Sequence, residues 1–158
     1  FAAGQAKKEN LYVVSAVFRY TAEQEKEHAE IFYNHLKELS GENIHIDGSY
    51  PVDLADDVAK LLRMAQHNEY EEHDSVYKAF GDKAKEEGFL HVASSFHKIA
   101  EIEKIHGDRF GHLADLLEQN KWKRAKQGVY ATFRCFFIFC SLSRFGKPSR
   151  FYCSQPPS

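Results

Sequence analysis

The chain has 158 residues, 43% of them hydrophobic, with 13 Phe and one Trp: enough for a single domain with a real core, and too apolar for extended disorder over most of its length. It has no run of 18 apolar residues and no basic-then-apolar start, so neither a membrane-spanning helix nor a secretion signal is expected, and a soluble cytoplasmic protein is. The net charge of −2 conceals two compositions: residues 1–120 hold 13 Lys/Arg against all 23 Asp/Glu, a net −10, whereas 121–158 hold eight Lys/Arg and no acid, a net +8.

Residues 1–8 read as the end of a helix, because Phe1, Ala2 and Ala3 are followed by Lys7 and Lys8, cations suited to a helix carboxyl end. From 11 to 39 apolar residues recur at helical spacing (Val14, Val17, Phe18, Ala22, Ala29, Phe32, Leu36, Leu39) before Gly41 as a stop signal. Residues 40–51 contain Gly41, Asn43, Asp47, Gly48 and Pro51 and form a loop long enough to cross between distant helix ends. A further helix is predicted over 52–87 through Leu54, Val58, Leu61, Leu62, Ala65, Val76, Phe80 and Ala84, broken by Gly88. The last runs over 89–118, with Val92, Phe96, Ile99, Ile102, Phe110, Leu113 and Leu117 as its apolar side. The fold class is all-α: an antiparallel helical bundle over 1–120 with an incomplete first helix, then an irregular basic tail over 121–158.

An internal repeat organises the bundle. A shift of 78 residues pairs 8–32 with 86–110, and nine of those 25 positions are identical: Glu9/Glu87, Val14/Val92, Phe18/Phe96, Ala22/Ala100, Glu23/Glu101, Glu25/Glu103, Lys26/Lys104, His28/His106 and Phe32/Phe110. Two related helical hairpins are expected.

Within the repeat, Glu25 and His28 are three residues apart, as are Glu103 and His106, so each pair projects from one helix face. Glu69 and Glu72 share that spacing on the helix between them. A Glu-x-x-His pair arises by chance about once in this composition, and the copy at Glu42/His45, in the Gly-rich loop, is assigned to chance. The other two occupy equivalent repeat positions and are flanked by apolar residues, Ala22 and Ala29 for the first, Ile99 and Ile102 for the second, which places them near the buried face. Four buried carboxylates lose their hydration at a cost of many kcal/mol, and metal ions offset that cost. Carboxylate oxygens with one imidazole per site suit iron or manganese better than structural zinc. Glu from two helices with Glu-x-x-His from two others is the donor pattern of di-metal carboxylate bundles.

With A-E-Q-E-K-E-H-A (22–29), N-E-Y-E-E-H-D-S-V-Y (68–77), K-E-E-G-F (85–89) and I-A-E-I-E-K-I-H-G-D-R-F (99–110), residues 1–124 resemble the ferritin-like domain of rubrerythrins. The resemblance implies a centre of two iron ions, with manganese or zinc able to substitute. Glu25 and Glu103 would bridge the metals, His28 and His106 would each bind one, Glu69 and Glu72 would be terminal carboxylates, and Tyr77 would stand beside them. It also implies reduction of hydrogen peroxide to water in oxidative-stress defence, with Glu25, Glu103 and Tyr77 as catalytic residues and a rubredoxin-like protein as electron donor. The alternatives are a ferroxidase with iron storage, on the same ligands, and a non-catalytic metal-binding or interaction fragment.

Two departures from the family pattern stand out. The repeat places counterparts of Glu69 and Glu72 at −9 and −6, ahead of Phe1, where rubrerythrins carry a further ligand Glu on a first helix; six ligands and an open side are expected here. Apolar sides left uncovered would be buried by a second copy, so a homodimer is expected. The second departure is the tail, where rubrerythrins commonly continue into an iron–sulfur module with two C-x-x-C pairs. Cys135, Cys140 and Cys153 cannot supply four thiolates. Docking of the apolar run 133–142 on the bundle or a partner is one alternative for the tail, and nucleic-acid binding by Arg134, Arg144, Lys147 and Arg150 is not expected. The favoured reading is a shifted frame beyond Lys121, testable by translating the other frames for paired C-x-x-C motifs. Of the remaining residues, His35, His67, His73, His91, His97 and His112 read as surface histidines, with His73 and Asp74 as alternative partners that orient a ligand. Tyr12 and Tyr20 read as packing residues and Trp122 as a cap on the bundle end.

Overall fold

A computed structural model describes residues 1–119; the expectations for the tail, including Trp122 and the three cysteines, lie outside the described residues. The described part is all-α, an antiparallel ferritin-like bundle: α1 (Ala2–Lys8), α2 (Tyr12–Asn34), a 3₁₀ turn (Lys37–Leu39), α3 (Val58–Glu71), a π-helix (Glu72–Val76), α4 (Tyr77–Glu86) and α5 (Leu90–Glu118). No described helix is long and apolar enough to cross a membrane.

The two hairpins share one turn. At the end of α1, Asn10 adopts φ 59°, its N–H reaches the Lys7 carbonyl at 3.1 Å and that of Leu11 reaches Ala6 at 2.9 Å. At the end of α4, Gly88 adopts φ 90°, with Gly88 to Lys85 at 3.1 Å and Phe89 to Ala84 at 2.8 Å. Each of these positions is separated from its counterpart by the repeat interval, so both hairpins close on the same left-handed C-cap, in which the two bonds satisfy carbonyls left over at the helix end.

α2 ends at Asn34 rather than at 39, and the segment 52–57 is not helical. Asp57 caps α3 by accepting from the Lys60 N–H at 3.0 Å, which starts the helix there. Asp53 is drawn aside to accept from Asn68 Nδ2 at 2.7 Å. The predicted crossover therefore extends over 40–57. Gln5 Nε2 donates to the Asp56 carbonyl at 2.7 Å, so the link returns to the α1 end of the bundle, roughly 34 Å along the 23 residues of α2.

The core joins Val14 and Val17 of α2 to Val58, Leu61 and Leu62 of α3 and to Ile99, Phe110 and Leu113 of α5. Phe18 packs on Phe110 with ring centroids 5.1 Å apart, and Phe32 on Phe96 at 4.6 Å. The inward line of α2 is Val14, Val17, Thr21, Glu25, His28 and Phe32, stepping by three or four residues. Ala22 and Ala29, expected to flank the buried face, lie one position off that line and are exposed. Tyr12, expected to pack, is also exposed, its hydroxyl donating to Asn10 Oδ1 at 3.0 Å. Tyr20 does pack, under the Arg109 guanidinium at 5.5 Å.

Candidate metal centre

The bundle interior gathers the acidic and imidazole side chains of four segments. α2 supplies Glu25 and His28, α3 supplies Glu69, the π-helix supplies Glu72, and α5 supplies Glu103 and His106. Glu103 and His106 are wholly excluded from solvent, and His28 is buried. These three sit where a strictly apolar core would place aliphatic residues.

His28 Nδ1 lies 3.1 Å from Glu25 Oε2 and 2.9 Å from Glu103 Oε1, while His106 Nδ1 lies 2.9 Å from Glu25 Oε1 and 2.9 Å from Glu103 Oε2. Each carboxylate therefore spans both imidazoles, one oxygen to each ring. The rings stack with centroids 5.9 Å apart. Glu69 Oε2 approaches His106 Nδ1 at 3.4 Å, and Glu25, Glu69, Glu103 and His106 offer ligand atoms within 4.8 Å of one another. His28 and Glu72 stand outside that group of four. His28 joins it through the two shared carboxylates, and Glu72 is coupled electrostatically to Glu103, Glu69 and Glu25.

Despite these short separations, Glu25 Oε1, both Glu103 oxygens and His106 Nδ1 have no partner in hydrogen-bond geometry. Buried polar atoms left so are costly in a core and point to an ion that the donor set is shaped to hold. Four carboxylates and two imidazoles, hard donors without a thiolate, fit iron.

The imidazoles offset only part of the buried negative charge. Burial pushes Glu25 up, but the neighbouring imidazoles of His106 and His28 outweigh it and hold the carboxyl at about 2. With 39% of its side chain exposed, Glu25 marks the side that solvent can reach. Burial pushes both histidines down, yet Glu103 and Glu25 raise His28 to about 9, and Glu103, Glu25 and Glu69 raise His106 to about 11. Glu69 and Glu72 lack that compensation: burial, reinforced by neighbouring carboxylates, raises each to about 7. The carboxylates on either side thus favour the charged form of both imidazoles, as they would favour a cation between them.

Tyr77 opens α4 beside the cluster, its ring between Phe32 (5.6 Å) and Phe96 (5.8 Å). Burial and the negative charge of Glu72 hold its hydroxyl above the ordinary tyrosine range.

Two polar partners were not among the candidate ligands. Gln24 Oε1 accepts from His106 Nε2 at 3.2 Å, which turns Nδ1 toward the cluster. It lies four residues before His28, on the same face, but its repeat counterpart is Ile102, so the repeat conceals it. The second is His73, which is buried rather than a surface histidine, its Nδ1 donating to the Ala100 carbonyl at 2.8 Å. Asp74, expected to share its role, is 71% exposed and reaches His73 Nε2 only at 3.6 Å. His67, His91 and His112 are exposed as expected, whereas His35 and His97 are half-buried and held by Ser95 at 2.9 Å and Asp82 at 3.1 Å.

The sequence matches the family profile described as Rubrerythrin over residues 1–114 and 60–142. It is 40% identical over 136 residues to a rubrerythrin of Clostridium perfringens, covering 85% of this chain and 70% of that protein. It is 35% identical to a rubrerythrin of Porphyromonas gingivalis (89% and 70% covered) and 37% identical to rubrerythrin-1 of Clostridium acetobutylicum (88% and 72% covered). With these matches running through the segments that build the carboxylate–imidazole cluster, the chain belongs to the rubrerythrin family, which implies iron binding and an oxidoreductase role in defence against oxidative stress.

Proposed function

We propose that the cluster holds two iron ions and that the protein reduces hydrogen peroxide to water. The observation that carries this reading is the pair of shared carboxylates: Glu25 and Glu103 each present one oxygen to His28 Nδ1 and the other to His106 Nδ1, at 2.9 to 3.1 Å. That is the placement a bridging carboxylate needs. Glu25, Glu69, Glu103 and His106 would hold one ion; Glu25, Glu103, His28 and Glu72 would hold the other. A single-metal site would need only the first set and leaves the burial of His28 against Glu25 and Glu103 without a purpose.

Reduction of one peroxide breaks the O–O bond, takes up two electrons and two protons, and releases two waters. Iron supplies the two electrons, cycling between its ferrous and ferric states. The chain's own residues position and protonate. Glu25, on the solvent-reachable side, faces the substrate's approach, while Phe32 and Phe96 exclude water behind Tyr77. The Tyr77 hydroxyl, under the influence of the Glu72 carboxylate, delivers a proton and recovers one through that carboxylate. A rubredoxin-type protein returns the electrons. Exposed apolar side chains on α2 and the crossover, among them Ile31, Tyr33, Ile46, Tyr50 and Val52, support self-association into a dimer, which light scattering would read.

The deciding experiment is anaerobic loading with Fe(II), followed by mixing with peroxide or with oxygen. Two irons per chain and faster oxidation by peroxide are expected. Less than about one iron per two chains would remove the reading, and faster oxidation by oxygen would replace it with a ferroxidase.

A further inference from the structure

His73, which the sequence offers either as a surface histidine or as a partner that orients a ligand, sits inside the π-helix, between Glu72 and Tyr77. In an α-helix residues five apart lie about 140° from one another around the axis. In the π-helix Glu72–Val76 two such pairs meet: the Tyr77 backbone N–H donates to the Glu72 carbonyl, and Lys78 Nζ comes within 3.3 Å of His73 Nε2. The first pair belongs to the cluster, and the second joins the buried His73 to Lys78 on the same turn. Both depend on the wider turn.

His73 is the residue that ties this turn to the rest of the bundle. Its Nδ1 must carry the hydrogen, because its partner is the Ala100 carbonyl, which can only accept; Nε2 is then the acceptor that faces the Lys78 ammonium. Ala100 is fully buried in α5, three residues before Glu103. The imidazole therefore connects the turn carrying Glu72 to the turn that precedes Glu103. A π-turn is a strained insertion in an α-helix and persists where tertiary contacts favour it.

We propose that His73 is a positioning residue that locks the π-register, so that Glu72 and Tyr77 face Glu103 and the second ion. This rests on the two-metal reading above. Without the Nδ1–H to Ala100 bond, the turn Glu72–Val76 relaxes toward α-helical hydrogen bonding, so that Glu72 loses its fixed aim and Tyr77 rotates away from it. The set Glu25, Glu69, Glu103 and His106 lies before the turn or on other helices and keeps its geometry.

The test uses cobalt(II), followed by its visible d–d bands, with H73L, H73N and H73Q beside the wild type and circular dichroism to establish folding. An asparagine amide can replace the Nδ1–H donor, whereas glutamine places its amide toward Lys78. The wild type and H73N are expected to take up two ions with the same spectrum. H73L and H73Q are expected to bind the first ion normally and the second about 10- to 100-fold more weakly, the loss typical of a removed ligand-orienting partner. Amide exchange over 75–77 should accelerate in H73L and H73Q only. Normal second-ion binding in H73Q or H73L overturns the proposal, as does failure of folded H73N to recover it; should H73L not fold, H73Q against H73N decides. If the wild type itself takes up fewer than two ions, the two-metal reading fails, and unchanged exchange at 75–77 in the variants then removes the register lock as well.

Discussion

The metal-free centre should be more stable without one of its own carboxylates. Glu69 is only 12% exposed, and burial, with charge from Glu25 and Glu103, raises it from 4.5 to about 7. A carboxyl whose folded value lies above its unfolded value costs nothing below about pH 4.5; the penalty grows between 4.5 and 7 and is complete above 7. That displacement corresponds to a ceiling of about 3 kcal/mol, and about 2 is expected after allowance for solvent around the exposed edge and for relaxation. Glu69→Gln removes the charge at nearly constant shape. In the presence of a chelator at pH 8 the variant should melt roughly 5–10 °C above the wild type, and the two should coincide at pH 4, where wild-type Glu69 is itself protonated. With metal the order should reverse, because the wild type gains binding energy that the amide cannot supply. Thermal denaturation followed by circular dichroism at both pH values checks this. Equal or lower stability of the chelator-treated variant at pH 8 would show that Glu69 is compensated in the metal-free protein and refute the electrostatic account.

Loading the centre at pH 7 should expel roughly three protons per pair of ions, two from His28 and His106 and about half of one from each of Glu69 and Glu72. Calorimetry in buffers of different ionisation enthalpy counts them, and release of fewer than about one would mean that the histidines are not the groups displaced. Gly107→Ala should destabilise by about 1–3 kcal/mol although alanine favours helices, because the new methyl would meet the Tyr70 ring at 2.7 Å and Glu69 Cβ at 3.4 Å; chemical denaturation reads this, and a more stable variant would show that α3 can shift without cost. Arg63→Ala should cost no more than about 1 kcal/mol by the same measurement, since its contacts with Glu118 and Asp115 are at the surface and screened. Glu25→Ala and Glu103→Ala should each abolish peroxide turnover, because a shared carboxylate serves both ions; retained turnover in either would exclude that role.

The repeat exposed part of the centre, while Glu69 and Glu72 were legible from their three-residue spacing and Tyr77 from the family resemblance. Glu25/His28 and Glu103/His106 were legible because helical spacing puts each pair on one face and the 78-residue interval puts the two pairs in register. The same interval locates Asn10 and Gly88, the two left-handed caps, although only one of them is a glycine. What stayed hidden depends on contacts between segments that have no counterpart. The start of α3 was set by the Asp57 cap, while a plausible apolar pattern through Val52 and Leu54 suggested an earlier one, because a periodicity cannot show that nothing packs on those residues. The π-helix is the deeper case. Its sequence, Glu-His-Asp-Ser-Val, has no local feature that distinguishes a five-residue turn from an α-helical one, and its cost is offset by bonds reaching outside the turn, above all His73 to Ala100. The spacing of four residues from Glu69 puts His73 near the inward face, but it does not reveal the Ala100 carbonyl that makes its burial tolerable. The ligands of the centre are therefore encoded locally, and the register that aims two of its groups is encoded across the bundle.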